Sequence, residues 1–327
     1  MIKSTYYLNG VTKVDLNLDE IKEAFKSDQG VLWVDLVQTP YAEAENILLE
    51  LFGFHPLAVS DALDEVHVPR VDDWGNYLYL VLHSIRYKPD EDEPLPADEL
   101  DVFLGKHFLV TYQNVAIPVI EKVHQYIERD ARFLQRGADH LFYKLADDLV
   151  AETLPVVDQM DDAIDSIEDQ MFNGSNQQLL EQIFTLKRSL LHMRRILMPQ
   201  RELFNKLARG DDHVIDKQER VFFRDIYDHM VRLYDISESL RDLISGALET
   251  YLSVINNRMN DVMKTLTIIT TLFMPISFLT GFFGMNFFAA DPPFASWTSQ
   301  PVLVVLLSIF VLLPVGMFIW MRSRKWM

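Results

Sequence analysis

The chain reads as an acidic α/β domain that continues into long α-helices and ends in a two-helix transmembrane hairpin. Three observations predict this. Runs rich in β-branched and aromatic residues, with helical patterns between them, fill roughly the first 135 positions. A helical periodicity dominates the next hundred or so positions. Two charge-free apolar stretches close the chain, each near the ~20 residues needed to cross a ~30 Å hydrocarbon layer.

In the α/β part the strand candidates are VTKVDL from Val11, VLWVDLV from Val31, YLYLVLHSI from Tyr77, ELDVFLG from Glu99 and HFLVTYQ from His107. Gly105-Lys106 is a hairpin turn between the last two. Helices fit at Asp19–Lys26, Ala42–Leu51 and Val115–Arg129, and KPDEDEPLPAD from Lys88 is a solvated acidic loop.

From Ala138 the pattern is helical. One helix is expected to run to about Phe172, where Asn173-Gly174-Ser175-Asn176 breaks it. A second spans about Gln177 to Arg209 with a kink at Pro199. Next, Ile226, Met230, Leu233, Leu240, Ile244, Ala247, Tyr251 and Val254 recur at three- and four-residue steps, with Ser237 filling the gap. No proline lies between Pro199 and Pro275. The pattern thus predicts a single helix from about Ile215 to Phe283, on the order of 100 Å long at ~1.5 Å per residue.

The first span is TLTIITTLFMPISFLTGFFGMN from Thr265, and the second is PVLVVLLSIFVLLPVGMFIWM from Pro301. Prolines 275 and 314 are compatible with membrane helices. The loop between the spans has no Lys or Arg, whereas Arg258 and Lys264 precede the first span and Arg322, Arg324 and Lys325 come after the second. The positive-inside rule therefore places both termini in the cytoplasm and the connecting loop outside; the expected location of the spans is the cell inner membrane. MIKSTYYLNG at the start lacks the apolar stretch of a signal peptide. Trp297, Trp320 and Trp326 suit interfacial anchors. The second span is built for lipid. The first carries Thr265, Thr267, Thr270, Thr271, Ser277 and Thr280, hydroxyls that suit a face turned to other helices or to water.

Composition excludes several functions. The formal net charge is −18, and it resides before Val262, since the remainder carries Lys264, Arg322, Arg324 and Lys325 against Asp291 alone. So acidic a body repels nucleic acid and attracts cations. Cysteine is absent, which removes thiolate chemistry and Cys-type zinc sites. There is no P-loop, dinucleotide glycine fingerprint, G-x-S-x-G or H-E-x-x-H, so neither an enzyme nor an organic cofactor is expected. His55, His67 and His83 lack ligand spacing and read as structural. Asp72-Asp73, Asp147-Asp148 and Asp161-Asp162 read as solvated faces.

Gly284-Met285-Asn286 at the outer end of the first of two C-terminal spans is the distinctive signal. With it, TLTIITTLFMPISFLTGFFGMNF, the basic aromatic tail RSRKWM, HPLAVSDALDEVHVPRVDDWGNYLYLVL and FFRDIYDH make the sequence resemble the CorA family of divalent-cation channels over nearly the whole chain.

That resemblance implies a funnel-shaped homopentamer in membrane lipid, with five first spans lining a pore and Mg²⁺ as both substrate and regulatory ligand. Co²⁺ and Ni²⁺ are further candidate ions. Gly284, Met285 and Asn286 would form the selectivity mouth, where a carboxamide ring can hold a hydrated ion without gripping it. Asn260, Met263, Leu266, Thr270, Met274, Ser277 and Gly281 match pore-lining positions, and Glu249 would attract the ion at the cytoplasmic exit. Asp61 and Asp225 match a regulatory metal site between subunits, and Asp147 a further acidic site. Departures from the family pattern are Phe283 for the usual Tyr, Ser277 for Thr, Ser60 at a position that can be acidic, and a loop FFAADPPFASW with one charge.

The implied domains are a cytoplasmic α/β domain at 1–135, a helical domain at 136–261, a pore-lining span at 262–286, an external loop at 287–300, a second span at 301–321 and a basic tail at 322–327. Two other readings compete: a zinc transporter of the same superfamily, against which Met285 argues because that branch has Val there, and a membrane-anchored sensor or scaffold, which would need no hydroxyl face.

Overall fold

A computed structural model describes residues 1–64, 67–89, 94–173, 177–210, 212–284 and 300–324. It divides into two compact units, Met1–Glu249 and Thr250–Met327.

The first unit is organised by a seven-stranded sheet. Its strands are β1 (Ile2–Leu8), β2 (Val11–Val14), β3 (Val31–Val37), β4 (Arg70–Asp73), β5 (Tyr77–Ile85), β6 (Ala97–Gly105) and β7 (Phe108–Gln113), in spatial order β2-β1-β3-β7-β6-β5-β4. Only β3 and β7 run parallel, with Val34 opposite Val110; every other pair is antiparallel. The helices are α1 (Leu18–Ser27), α2 (Tyr41–Asn46), α3 (Pro56–Asp64), α4 (Pro118–Arg129), α5 (Ala138–Ala151), α6 (Thr153–Asn173) and α7 (Gln177–Arg209). Helix α8 (Arg220–Gly284) begins in this unit.

Helices cover both faces of the sheet, which is why β3, β5 and β7 read as apolar runs rather than alternations. On one face Phe103, Val110, Tyr79 and Leu36 pack with Ile21 of α1, Ala44 of α2 and Ala58 of α3. On the other, α5 and α7 lie against the sheet. A buried polar network pins α4 there. Asp35 accepts hydrogen bonds from Thr111 Oγ1 (2.7 Å) and Gln113 Nε2 (2.9 Å), and lies 3.0 Å from His124 Nε2. The His124 ring stacks on Trp33 at 3.7 Å between centroids.

Each expected strand is present, with small shifts at its ends. Strands β1 and β4 and helix α3 are additional. The single helix expected from Ala138 is instead α5 and α6, separated at Glu152. Pro155 explains the break: it has no N–H for the Ala151 carbonyl, and its ring crowds that oxygen. Pro155 is tolerated because it falls in the first turn of α6. The helix expected at Ala42–Leu51 is α2 followed by a π-helical turn, Ile47–Leu51. The long helix starts at Arg220 rather than Ile215, because Asp212 Oδ1 accepts from the backbone N–H groups of Val214 and Ile215 and holds a turn there. Helix α7 passes through Pro199 without ending.

The apolar stripe on α8 is buried from Ile226 through Met230, Leu233, Ser237, Leu240 and Ile244 to Ala247. Its neighbours include α7, through an Arg194–Glu238 ion pair at 3.2 Å and Arg201 over the Tyr234 ring, and α5, through Phe142 and Phe223.

The second unit holds residues 250–284 of α8 and helix α9 (Gln300–Ser323). Helices α8 and α9 are the two helices, among the described residues, long and apolar enough to cross a membrane.

Candidate functional site

Helix α3 presents Asp61 beside the edge strand β4. Proline at its first position suits an N-terminus, where the missing N–H would have had no helical partner. Asp61 is 39% exposed, and both of its oxygens face cationic or potentially cationic groups of the same chain. Oδ2 accepts from Arg70 Nη2 at 2.5 Å, and Oδ1 is 3.9 Å from His67 Nε2. Arg70 begins β4, where Asp72 on the same strand face lies 3.1 Å from its Nε.

Behind this pair lies a buried carboxyl cluster on β6. Glu99 stands opposite His83 on β5, with 3.7 Å between Oε2 and Nε2, and accepts from the backbone N–H of His67. Asp101 accepts from Tyr79 Oη at 2.6 Å. Burial pushes the carboxyls of both Glu99 and Asp101 above the usual range. Burial pulls His83 down to about 4, with repulsion from His192 adding to it. His67 and His83, which read as isolated in the sequence, thus share Glu99.

Asp225 and Asp147 form a second acidic neighbourhood. Asp225 is exposed on α8 and Asp147 is half-buried on α5. Burial raises the Asp147 carboxyl; Lys144 opposes this, Asp148 adds to it, His229 opposes it, and Asp225 adds to it. Lys144 Nζ donates to Asp148 at 2.6 Å. Asp225 is therefore among the charges that act on Asp147, whereas Asp61 keeps company with Arg70 and His67.

Among the described residues, no three His, Asp or Glu side chains of one chain converge to hold a metal. The candidate ligands would be hard carboxylate oxygens, half-buried at Asp61 and exposed at Asp225. That fits Mg²⁺, which keeps most of its water and is commonly held by one or two carboxylates.

The expected pore-lining residues all lie on α8, along one face at helical spacing. Every one is exposed in the single chain: Glu249, Asn260, Met263 (56%), Leu266 (56%), Thr270, Met274 (64%), Ser277 and Gly281. The Met263, Leu266 and Met274 side chains are not covered within their own chain, so lipid or other copies must cover them. The threonine hydroxyls donate to carbonyls of their own helix: Thr265 to Asp261 (2.8 Å), Thr267 to Met263 (2.7 Å), Thr270 to Leu266 (2.9 Å) and Thr280 to Ile276 (3.0 Å). Gly284 is the last residue of α8; Met285 and Asn286 lie outside the described residues.

The family model for the CorA-like Mg²⁺ transporter protein matches residues 28–324. The chain belongs to the CorA family. It is similar to the putative metal ion transporter YfjQ of Bacillus subtilis, 33% identical over 94% of this chain and 93% of the relative. The cobalt/magnesium transport protein CorA of Thermotoga maritima is 30% identical over 93% of this chain and 85% of its own length. In structure it is similar to the CorA magnesium transporter from Methanocaldococcus jannaschii, with a TM-score of 0.77, 23% identity and 96% of each chain covered. As a CorA-family member the protein is a divalent-cation transporter of the membrane and not an enzyme.

Arg70 is the residue that sequence reasoning missed. It lies in VPRVDDW, inside a family-like segment, but its relation to Asp61 is invisible without α3 and β4.

Proposed function

We propose that the protein is a homopentameric Mg²⁺ channel, admitting Co²⁺ or Ni²⁺ as well, that carries ions inward and is closed by cytosolic Mg²⁺. The observation that carries this reading is the exposed face of α8, where oxygen-bearing residues are interspersed with apolar ones in the approach to Gly284-Met285-Asn286. Five copies would place Asn286 in a ring of carboxamide oxygens that contacts the ion's water rather than the ion. Met263, Leu266 and Met274 would form apolar constrictions that gate by dewetting, with Thr270 supplying oxygens between Leu266 and Met274 and Ser277 supplying them beyond Met274. Glu249 and Asn260 would receive the ion at the inner end.

Inward movement needs no nucleotide, because the membrane potential supplies ~2.3 kcal/mol per charge per 100 mV. For control, Asp61 of one subunit and Asp225 of its neighbour would share a cation, with Asp147 as a further acidic position. Bridged by the cation, these carboxylates would hold neighbouring subunits together; without it the bridge is lost and the ring loosens. The cation shifts that balance only through its differential affinity for the two states.

Liposomes with an internal Mg²⁺-sensitive dye and an inside-negative potential test the reading. Wild-type protein is expected to admit Mg²⁺ and Asn286→Ala to lose most of that influx. Influx unchanged by Asn286→Ala would remove the mouth assignment. Asp61→Ala combined with Asp225→Ala is expected to keep conducting at high internal Mg²⁺, and inhibition as in wild type would remove the control by these carboxylates.

A further inference from the structure

The regulatory reading of Asp61 leaves open what balances its charge when no metal ion is bound. The structure supplies an occupant. Arg70 Nη2 sits 2.5 Å from Asp61 Oδ2, inside the shell that a bound cation's ligands or water would need. The same guanidinium has a second carboxylate within reach, with Nε 3.1 Å from Asp72 Oδ2. The strand fixes Arg70 and Asp72 on one face of β4, while Asp61 arrives from α3. The three side chains are between a third and a half exposed, so the arrangement can rearrange without opening the core.

We propose that Arg70 is a tethered competitor for the Asp61 site: a divalent cation binds Asp61 by displacing the guanidinium, which then rests on Asp72 alone. The inference rests on Asp61 being a regulatory ligand and adds the residue that sets its affinity. A fixed monovalent cation makes Asp61 a weak site, as a sensor requires if it is to release its ion when concentration falls. It also favours divalent over monovalent ions, since a competitor of one charge can be displaced cheaply only by two. Asp72 lowers the cost of displacement by holding the released guanidinium, so Arg70 and Asp72 act with opposite sign.

The test uses the full-length protein in detergent. Thermal unfolding midpoints are followed against MgCl₂ with ionic strength held by NaCl, which gives the Mg²⁺ concentration of half-maximal stabilisation. Asp61→Ala is expected to remove most of the response. Arg70→Gln is expected to lower the half-maximal concentration roughly five-fold, the factor equivalent to an exposed ion pair of about 1 kcal/mol. Asp72→Asn is expected to raise it. The control is Lys206→Gln, which removes a positive charge from the same neighbourhood: Lys206 Nζ donates to the Val71 carbonyl. It is expected to stay within about two-fold of wild type, because it does not occupy Asp61.

An unchanged half-maximal concentration in Arg70→Gln overturns the proposal, as does a decrease in Asp72→Asn. A Lys206→Gln shift as large as that of Arg70→Gln overturns it too, since general electrostatics would then suffice. If Arg70→Gln does not fold, Asp72→Asn still decides, since a decrease there overturns the proposal by itself. A wild-type response in Asp61→Ala is a different failure: it removes Asp61 as a ligand, and this inference with it.

Discussion

Replacing Asp35 by alanine is expected to cost the first unit roughly 3–5 kcal/mol, the range for breaking a buried polar network by removing a charged partner. The magnitude comes from the groups left behind. Asp35 is 1% exposed and faces Thr111, Gln113 and His124, themselves 0%, 2% and 6% exposed. Without the carboxylate, the Gln113 amide and the His124 ring lose their acceptor in a place that water does not reach. Each stranded group costs about 1–3 kcal/mol. The damage would spread, because His124 carries α4 and stacks on Trp33, whose Nε1 donates to Thr111 Oγ1 at 3.1 Å. At ~2–4 °C per kcal/mol, a fall of about 10 °C in the unfolding midpoint is expected by circular dichroism. Thr111→Val, which keeps the shape and removes one hydroxyl, should cost about 1–2 kcal/mol. If Asp35→Ala lost no more than Thr111→Val, the carboxylate would not be what holds this network.

Two further outcomes concern a buried histidine and a tight glycine. His83 is neutral down to about 4 in the folded chain, against 6.5 for the free side chain. Its contribution is therefore complete above pH 6.5 and is lost as pH falls toward 4, by at most ~3 kcal/mol. His83→Gln should flatten this part of a stability–pH curve, and an identical slope would refute the assignment. Gly30 adopts φ +74°, and an added Cβ would lie 2.1 Å from the Tyr7 carbonyl oxygen. Gly30→Ala should therefore cost roughly 3 kcal/mol in chemical denaturation, because the obstacle is backbone of the adjoining strand; a loss below ~1 kcal/mol would show that β1 can move aside.

Much of the architecture was legible because its signal is local. Strands β3 and β5 announce themselves as buried runs, and the α8 stripe by its spacing. The sequence could not show β1 and β4, since IKSTYYL mixes polar and apolar positions and RVDD is short and charged. Helix α3 went unread because it is short, with Ser60 in its middle. Pro155 misled by omission, as the helical period continues on both sides of it. For the sites, Asp61, Asp225, Asp147 and the α8 face came from resemblance, and the structure shows their surroundings. The Asp61–Arg70 pair depends on an α3–β4 juxtaposition, which no periodicity encodes.

The threonines of α8 carry a last consequence. A carbonyl can only accept, so Thr267 and Thr270, bonded to the carbonyls four residues back, have committed their protons to the helix. What they turn outward is lone pairs. Thr270, the one of the two on the proposed pore-lining face, would thus be polarised by orientation, without a formal charge. A hydrated cation arrives with the hydrogens of its water pointing out, and meets acceptors. A hydrated anion turns water hydrogens inward to itself, and finds no donor at Thr270 to bond the oxygens it presents. In the proposed pore a ring of Thr270 side chains would thus favour cations over anions while holding the cation only as tightly as water does.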